Sequence, residues 1–285
     1  MKIDGVIIFY NSINVDSFII KEFYGKIKSK CQCLRPIDIT NRREISIFKS
    51  NINKIDIGSN ILLINFGGDG SLFSSLSLTA ESLKTPNIYT ISFNFGNKGF
   101  YCFYPKSLIE QFLNNEIDLL EKVTMDYEEK NFVDGFFWTV NDQYYFVGDV
   151  VIKPYIHYKT IKLSYSINSV NLEEIGDGII VFTPFGSTGY FLSINGIYID
   201  TNFKDLIGVC FIAPHSLKYR PQLIKGQDIL ISNKDKKNAI LLTDGQDKLI
   251  LEPQQSITIK KTENKFTLIG NKNILQKWVE EFYER

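Results

Sequence analysis

ILLINFGGDGSLFSSLSL, residues 61–78, decides the fold. The apolar run ILLINF leads straight into Gly67-Gly68-Asp69-Gly70-Ser71, and an amphipathic stretch over 71–84 follows, with Leu72, Leu76 and Leu83 near one face. A buried strand that turns directly into a helix is half of a βαβ unit. The same pairing stands upstream, where GVIIFY precedes residues 16–30 with Phe18, Ile19, Phe23 and Ile27 at helical spacing. A third strand, NIYTISF, follows Pro86. Strands apolar along their whole length and joined by helices predict a parallel sheet covered on both faces. The first part of the chain therefore reads as a Rossmann-like α/β domain.

Beyond an expected helix over 107–121 the texture changes to short aromatic and β-branched strands separated by turn residues. FFWTV-ND-QYYFV reads as a hairpin, as does AILLT-DG-QDKLIL, where Asp244-Gly245 suits a two-residue turn. The chain ends with an apolar stripe of Ile274, Leu275, Trp278, Val279 and Phe282, which predicts a helix that packs back on the first domain. The expected organisation is an α/β domain over 1–105 plus 268–285 and an all-β domain over 106–267. No repeat or low-complexity linker separates them, and small-molecule sites often lie between domains joined in that way.

The bulk numbers narrow the partner. Lys plus Arg and Asp plus Glu number 32 each in 285 residues, which gives no electrostatic case for nucleic acid or an anionic membrane. The apolar run near the N-terminus is too short for a signal peptide and no segment approaches a membrane span, so the expected location is the cytoplasm. Cys31, Cys33, Cys102 and Cys210 lack any C-x-x-C spacing, and His157 and His215 are the only histidines. A structural zinc site is not indicated. Reduced thiols are the expected state of a cytosolic protein, with Cys31 and Cys33 as a redox pair the alternative.

At the carboxyl end of a parallel strand, glycines let a ligand approach the main chain, and the next helix offers unpaired N–H groups and a positive dipole end. That favours phosphate. The turn is neither a Walker A loop nor G-x-G-x-x-G. A carboxylate beside a phosphate is repelled unless it has a task, and the natural one is to take the proton of an attacking hydroxyl. The competing reading is a tight turn whose Asp caps the following helix. Taken alone, the motif leaves both open.

Further stretches join it: FNFGNKGFY over 93–101, GDGIIVFTPFGSTGY over 176–190, APHSLKYRP over 213–221, and Asp244-Gly245-Gln246. In this order and at these spacings, over nearly the full chain, they resemble the NAD kinase family. The resemblance implies an α/β domain, a β-sandwich-like all-β domain, and transfer of the γ-phosphoryl of ATP to the 2′-hydroxyl of the adenosine ribose of NAD, with NADH as a second acceptor. It makes Asp69 the catalytic base. It places Gly68, Gly70 and Asn94 against substrate, Asp149 on ribose hydroxyls, and Asp177 near the nicotinamide end. Ser187, Thr188, Gly189 and Tyr190 match the Gly-Ser-Thr-Ala-Tyr turn, with Tyr190 placed to pack on a base, and Gln246 completes the set. A divalent metal such as magnesium, carried on the ATP phosphates rather than by protein ligands, and a homodimer or homotetramer in which a neighbour completes the site, are further implications.

The sequence departs from the pattern around the dinucleotide. Ser71 replaces Thr and keeps the hydroxyl. Gly148 stands in place of Asn, Asp149 is one methylene shorter than Glu, Phe185 replaces Thr, Gly189 replaces Ala, and Ile175 occupies a place that is often basic. Losing one buried polar contact costs about 1–3 kcal/mol, enough for several changes to alter acceptor preference. Bland readings stand beside each assignment: Asp177 and Asp244 as turn residues, Tyr190 as core, Asp149 as an exposed edge residue, His215 as a satisfied loop histidine. Two further functions compete, a non-catalytic NAD(P)(H) sensor derived from a kinase and a diacylglycerol-type lipid kinase, which shares only the Gly-Gly-Asp-Gly turn.

Overall fold

The computed structural model describes residues 2–52, 55–83, 87–96, 99–156, 158–168, 170–216, 219–270, 273, 276–277 and 279. The chain divides into two compact units, Met1–Gly135 with Asn264–Arg285, and Phe136–Glu263. The change of unit at 135/136 falls later than the expected 105/106.

In the first unit, β1 (Gly5–Tyr10), β2 (Ile37–Asp38), β3 (Asn60–Gly67) and β4 (Asn87–Asn94) form a parallel sheet in the order β2-β1-β3-β4. Phe266–Leu268, at the end of β16 (Ser256–Ile269), adds a parallel partner to β4. Side chains alternate between the two faces of each strand. Val6, Ile8, Leu62, Ile64, Phe66, Ile91 and Phe93 meet Ile20, Phe23 and Ile27 of α1 (Ser17–Lys28) and Phe112 of α4 (Ser107–Leu113) in one buried cluster. Each such side chain contributes about 1.5–3 kcal/mol by leaving water. On the other face Phe9 meets Phe48 of α2 (Arg42–Asn51), with ring centroids 5.4 Å apart, and α3 (Asp69–Ser82) packs against β3. The expected parallel α/β sheet is present.

The helix expected over 107–121 is two helices. Asn115 takes a left-handed φ of 63° after α4, and Asp118 then starts α5 (Leu119–Glu128) by accepting from the N–H groups of Leu120 and Glu121. An Asn able to leave the helical region, followed by an N-capping Asp, outweighs the continuous apolar spacing. Of the expected C-terminal helix, Ile274, Leu275, Trp278 and Phe282 lie outside the described residues, while Gln276, Lys277 and Val279 are helical.

The second unit is built of antiparallel strands. One sheet has the order β12 (Gln222–Lys225), β11 (Leu206–Ile212), β10 (Gly178–Phe182), β7 (Asp149–Pro154), β14 (Ala239–Thr243), β15 (Gln246–Leu251). The other sets the first part of β16 beside β13 (Ile229–Asn233), β8 (Ile161–Ile167) and β9 (Val170–Gly176), with the hairpin of β5 (Phe132–Val140) and β6 (Tyr144–Phe146) attached. Trp138, Phe146, Ile152, Tyr165, Val181, Phe211 and Ile231 belong to the core shared by these strands. Both expected hairpins form, and their turns use left-handed pairs, Asn141 and Asp142 at φ 52° and 55°, Asp244 and Gly245 at 47° and 76°. Such pairs suit the right-handed twist of the flanking strands.

Candidate active site

The first cluster lies at the carboxyl end of β3. Asp69 is the opening residue of α3, and Gly68, its N-cap, makes no side-chain capping bond. The Asp69 carboxylate instead turns to residues 100–102. Its Oδ2 accepts from the Phe100 N–H at 2.8 Å, and its Oδ1 from the Tyr101 N–H at 3.0 Å and the Cys102 thiol at 3.5 Å. Among the described residues nothing else reaches Oδ2, which leaves it one acceptor position. The helix-cap reading of Asp69 is thereby replaced by that of a carboxylate held from outside its own helix. Burial raises its pKa above the usual carboxylate range, against the lowering effect of the two N–H groups, the thiol and the Lys277 ammonium. Lys277 donates to the carbonyls of Gly99 and Cys102, the latter at 3.0 Å, and so braces the segment that holds Asp69.

Asn94 ends β4 and curls on itself, its Oδ1 accepting from the Gly96 N–H at 2.9 Å. A Cβ at Gly99 would lie 2.7 Å from Asn94 Cγ, so any other residue there would displace the Asn94 amide. Gly70 is exposed and open around its Cα, whereas Ser71 is tied to Asn11 at 3.4 Å. Asp69, Gly68, Gly70 and Asn94 thus share one end of the parallel sheet.

In the second unit Asp149 opens β7, an interior strand of its sheet, and is not an exposed edge residue. Among the described residues no hydrogen-bond donor reaches its carboxylate. Burial, and then the Asp244 carboxylate, push its pKa up to about 7. Asp244 itself is engaged: it accepts from the N–H groups of Val147 at 2.9 Å, Gly148 at 2.7 Å and Asp149 at 3.1 Å. The hairpin turn at Asp244 therefore anchors the approach to Asp149.

The Gly-Ser-Thr-Gly-Tyr turn packs on the same place. Thr183 donates to the Val147 carbonyl at 2.5 Å and accepts from the N–H groups of Phe185 and Gly186. Ser187 is fully buried, donating to the Pro184 carbonyl at 2.7 Å and accepting from the Ile199 N–H at 3.0 Å, so its hydroxyl shapes the turn. Thr188 donates back to the Phe185 carbonyl at 3.2 Å. A Cβ on Gly189 would come 3.9 Å from Asp149 Oδ2. Tyr190 is 42% exposed, which removes the reading of it as core. Phe185 is buried beneath the turn, and Phe191 stacks on Phe182 with centroids 3.7 Å apart.

Asp177 is exposed and stands apart from this group. It precedes β10, whose other end, Phe182, pairs with Asp149. At the rise of a strand those ends are about 17 Å apart. Gln246 begins β15 opposite Thr243, next to the Asp244 turn. His215 is exposed and bonded through its main chain to Ile175, the half-exposed residue before Gly176. All four thiols are free, and burial pushes that of Cys33 up to about 12, which disfavours its thiolate and the redox-pair reading.

The match to known proteins falls on this second unit. Residues 147–270 match the model of the ATP-NAD kinase C-terminal domain, beginning at the residue whose N–H Asp244 holds. By that domain and by the curated proteins it matches, the chain is similar to the NAD kinase family of enzymes. Curated NAD kinases resemble it beyond that region: the one from Sulfurimonas denitrificans is 29% identical over 220 residues, 75% of this chain and 71% of that protein. The one from Cytophaga hutchinsonii is 26% identical over 265 residues, 90% and 83% of the two chains. The fold is shared with an NAD kinase from Archaeoglobus fulgidus solved with ATP, at a TM-score of 0.68 and 19% identity over 96% of each chain. It is shared too with yeast NADH kinase complexed with NADH, at 0.69 and 16%, over 100% of this chain and 88% of that one.

The sequence reading missed Asp244, Thr183, Cys102 and Lys277 as parts of the candidate site's frame. Asp244, inside the quoted Asp-Gly-Gln, and Thr183, inside the quoted stretch 176–190, carried a signal, though Asp244 read equally as a turn.

Two expected results arise here. Gly186→Ala places a Cβ 2.1 Å from the Gly148 carbonyl oxygen and 2.5 Å from its carbon, both backbone atoms. Overpacking of this kind costs about 1–3 kcal/mol, so the urea midpoint falls and dinucleotide binding weakens with it. Asp149→Asn acts through pH. A folded-state pKa of about 7, above the unfolded 3.8, means the native carboxyl holds its proton more tightly. Its stabilising contribution is full below the unfolded value and lost as pH rises to 7. The Asn variant therefore equals wild type near pH 4 and exceeds it at pH 8 by on the order of 2–4 kcal/mol, read from urea midpoints at both pH values.

Proposed function

We propose that the chain transfers the γ-phosphoryl of ATP to the 2′-hydroxyl of the adenosine ribose of NAD, with NADH as a second acceptor, and that Asp69 is the base. The observation that carries this reading is Asp69 itself, a carboxylate at a helix start that caps nothing, held by the N–H groups of Phe100 and Tyr101 with one acceptor position left. A hydroxyl bound there donates to Asp69 as its oxygen attacks the γ-phosphorus; the phosphorus–oxygen bond to ADP breaks, and the proton stays on the carboxyl. General-base help of this order supplies about 3–5 kcal/mol of the barrier.

The other assignments follow from what each group lacks. Asp149, half-buried and without a donor on its carboxylate among the described residues, suits a ribose diol, and the exposed ring of Tyr190 suits a base. Gly68 and Gly70 bring main chain to phosphate. Among the described residues no cluster of three or more His, Cys, Asp or Glu side chains is arranged to hold a metal ion. A divalent ion fits as a passenger on the ATP phosphates, where it would neutralise developing charge. The likeness to NAD kinases supports a homo-oligomer in which a neighbouring copy completes the site, with Asp177 near the nicotinamide end of the dinucleotide. No helix among the described residues is long and apolar enough to cross a membrane. We place the enzyme in the cytoplasm.

The test is a substrate panel with purified protein, ATP and magnesium, offering NAD, NADH and diacylglycerol. NADP or NADPH as product is expected. Tight dinucleotide binding with no product would favour the sensor, and a phosphorylated lipid the third reading.

A further inference from the structure

Behind Asp69 runs a buried line of polar side chains that the kinase reaction, as described above, does not use. Asn65 on β3 and Ser92 on β4 are directly paired in register. Asn65 Nδ2 donates to Ser92 Oγ at 2.7 Å, Ser92 Oγ donates to Cys102 Sγ at 3.0 Å, and Cys102 Sγ lies 3.5 Å from Asp69 Oδ1. All three side chains are at most 4% exposed. Polar groups so placed cost free energy unless they serve each other or a task. Among the described residues Asn65 Oδ1 has no hydrogen-bond partner, so the amide is held there by its donor.

We propose that Asn65, Ser92 and Cys102 are positioning residues that form a one-way chain of donors, loading Asp69 Oδ1 and leaving Oδ2 as the oxygen that takes the substrate proton. Ser92 receives the Asn65 amide hydrogen, so its own hydrogen points away, toward sulfur. The sulfur, accepting from Ser92, directs its hydrogen onward to one of two acceptors, the Gly67 carbonyl at 3.6 Å or the Asp69 carboxylate at 3.5 Å. A charged acceptor makes the stronger bond. Burial and the neighbouring Asp69 charge push the Cys102 thiol far above its ordinary pKa, so it stays a donor throughout the working range. Among the described residues, with the Tyr101 N–H, Oδ1 then carries two donors, whereas Oδ2 carries that of Phe100 alone. The less loaded oxygen is the more basic one. Among the described residues, the titratable groups that face Asp69 are Cys102 and Lys277.

The inference rests on the reading of Asp69 as base, and the test separates the two. The Asp69 carboxyl carbon of the full-length protein is titrated by NMR, its resonance assigned by its absence in Asp69→Asn. Cys102→Ala removes a donor to the ionised form and raises the midpoint by about half a pH unit. Cys102→Ser, which restores a donor, leaves it at or below the wild-type value. Ser92→Ala, a milder change to the packing, releases the thiol and moves the midpoint in the same direction as Cys102→Ala. In NADP formation, the acid limb of kcat shifts with the NMR midpoint while KM for NAD changes less than about twofold. A midpoint unmoved by Cys102→Ala, or raised equally by Ser and Ala, overturns the chain. A midpoint that moves as expected, beside an acid limb that survives in Asp69→Asn, upholds the chain and overturns the base.

Discussion

Asp69→Asn is expected to lower kcat for NADP formation by two to four orders of magnitude, the range that a positioned general base supplies. The variant keeps the shape of the side chain but loses the charge and the basic oxygen. It also has a structural cost. The Phe100 and Tyr101 N–H groups each point at one oxygen of the carboxylate, and an Asn can accept only one of them. Its amide hydrogens would oppose the other, at about 1–3 kcal/mol for an unmet buried donor. Stability therefore falls modestly while activity falls steeply. Binding of NAD, measured by calorimetry at a temperature where the variant is folded, separates the two effects, because it stays within a few-fold of wild type. Activity within tenfold of wild type would remove Asp69 from the chemistry.

Asp244→Ala is expected to be the most destabilising single change in the second unit, by about 3–5 kcal/mol. Its carboxylate collects three consecutive main-chain N–H groups, those of Val147, Gly148 and Asp149, in a buried corner. Removing one partner from such a group leaves the others unsatisfied, and that penalty exceeds the net worth of the bonds. The same change withdraws the like charge that helps to push Asp149 upward, so the Asp149 midpoint falls toward the ordinary carboxylate value. Urea unfolding at pH 7 gives the first quantity and NMR titration the second. An unchanged urea midpoint would mean that water serves the three N–H groups equally well.

These two aspartates show what the sequence does and does not make legible. The strand that ends in Gly-Gly-Asp-Gly can be read directly, because continuous apolar runs and helical spacing are local patterns, and both hairpins announce themselves through Asn-Asp and Asp-Gly turns. The break between α4 and α5 is carried by Asn115 and Asp118, whose local preferences outweigh an unbroken apolar spacing. The frame of the site is harder to read because its bonds join residues far apart in the chain. Asp244 reaches back 95 to 97 positions to its donors, and Cys102 reaches 33 to Asp69. Nothing in the neighbourhood of either residue encodes those distances. Ser187 shows the converse: the motif identifies the residue, but only the fold reveals that its hydroxyl faces Pro184 and Ile199.

The most direct measurement follows labelled γ-phosphate from ATP into NAD and locates it in the product. Label is expected on the 2′-oxygen of the adenosine ribose with the wild-type protein and is nearly absent with Asp69→Asn. Label at another hydroxyl, or undiminished transfer by the variant, would remove Asp69 as the base of a 2′-phosphorylation.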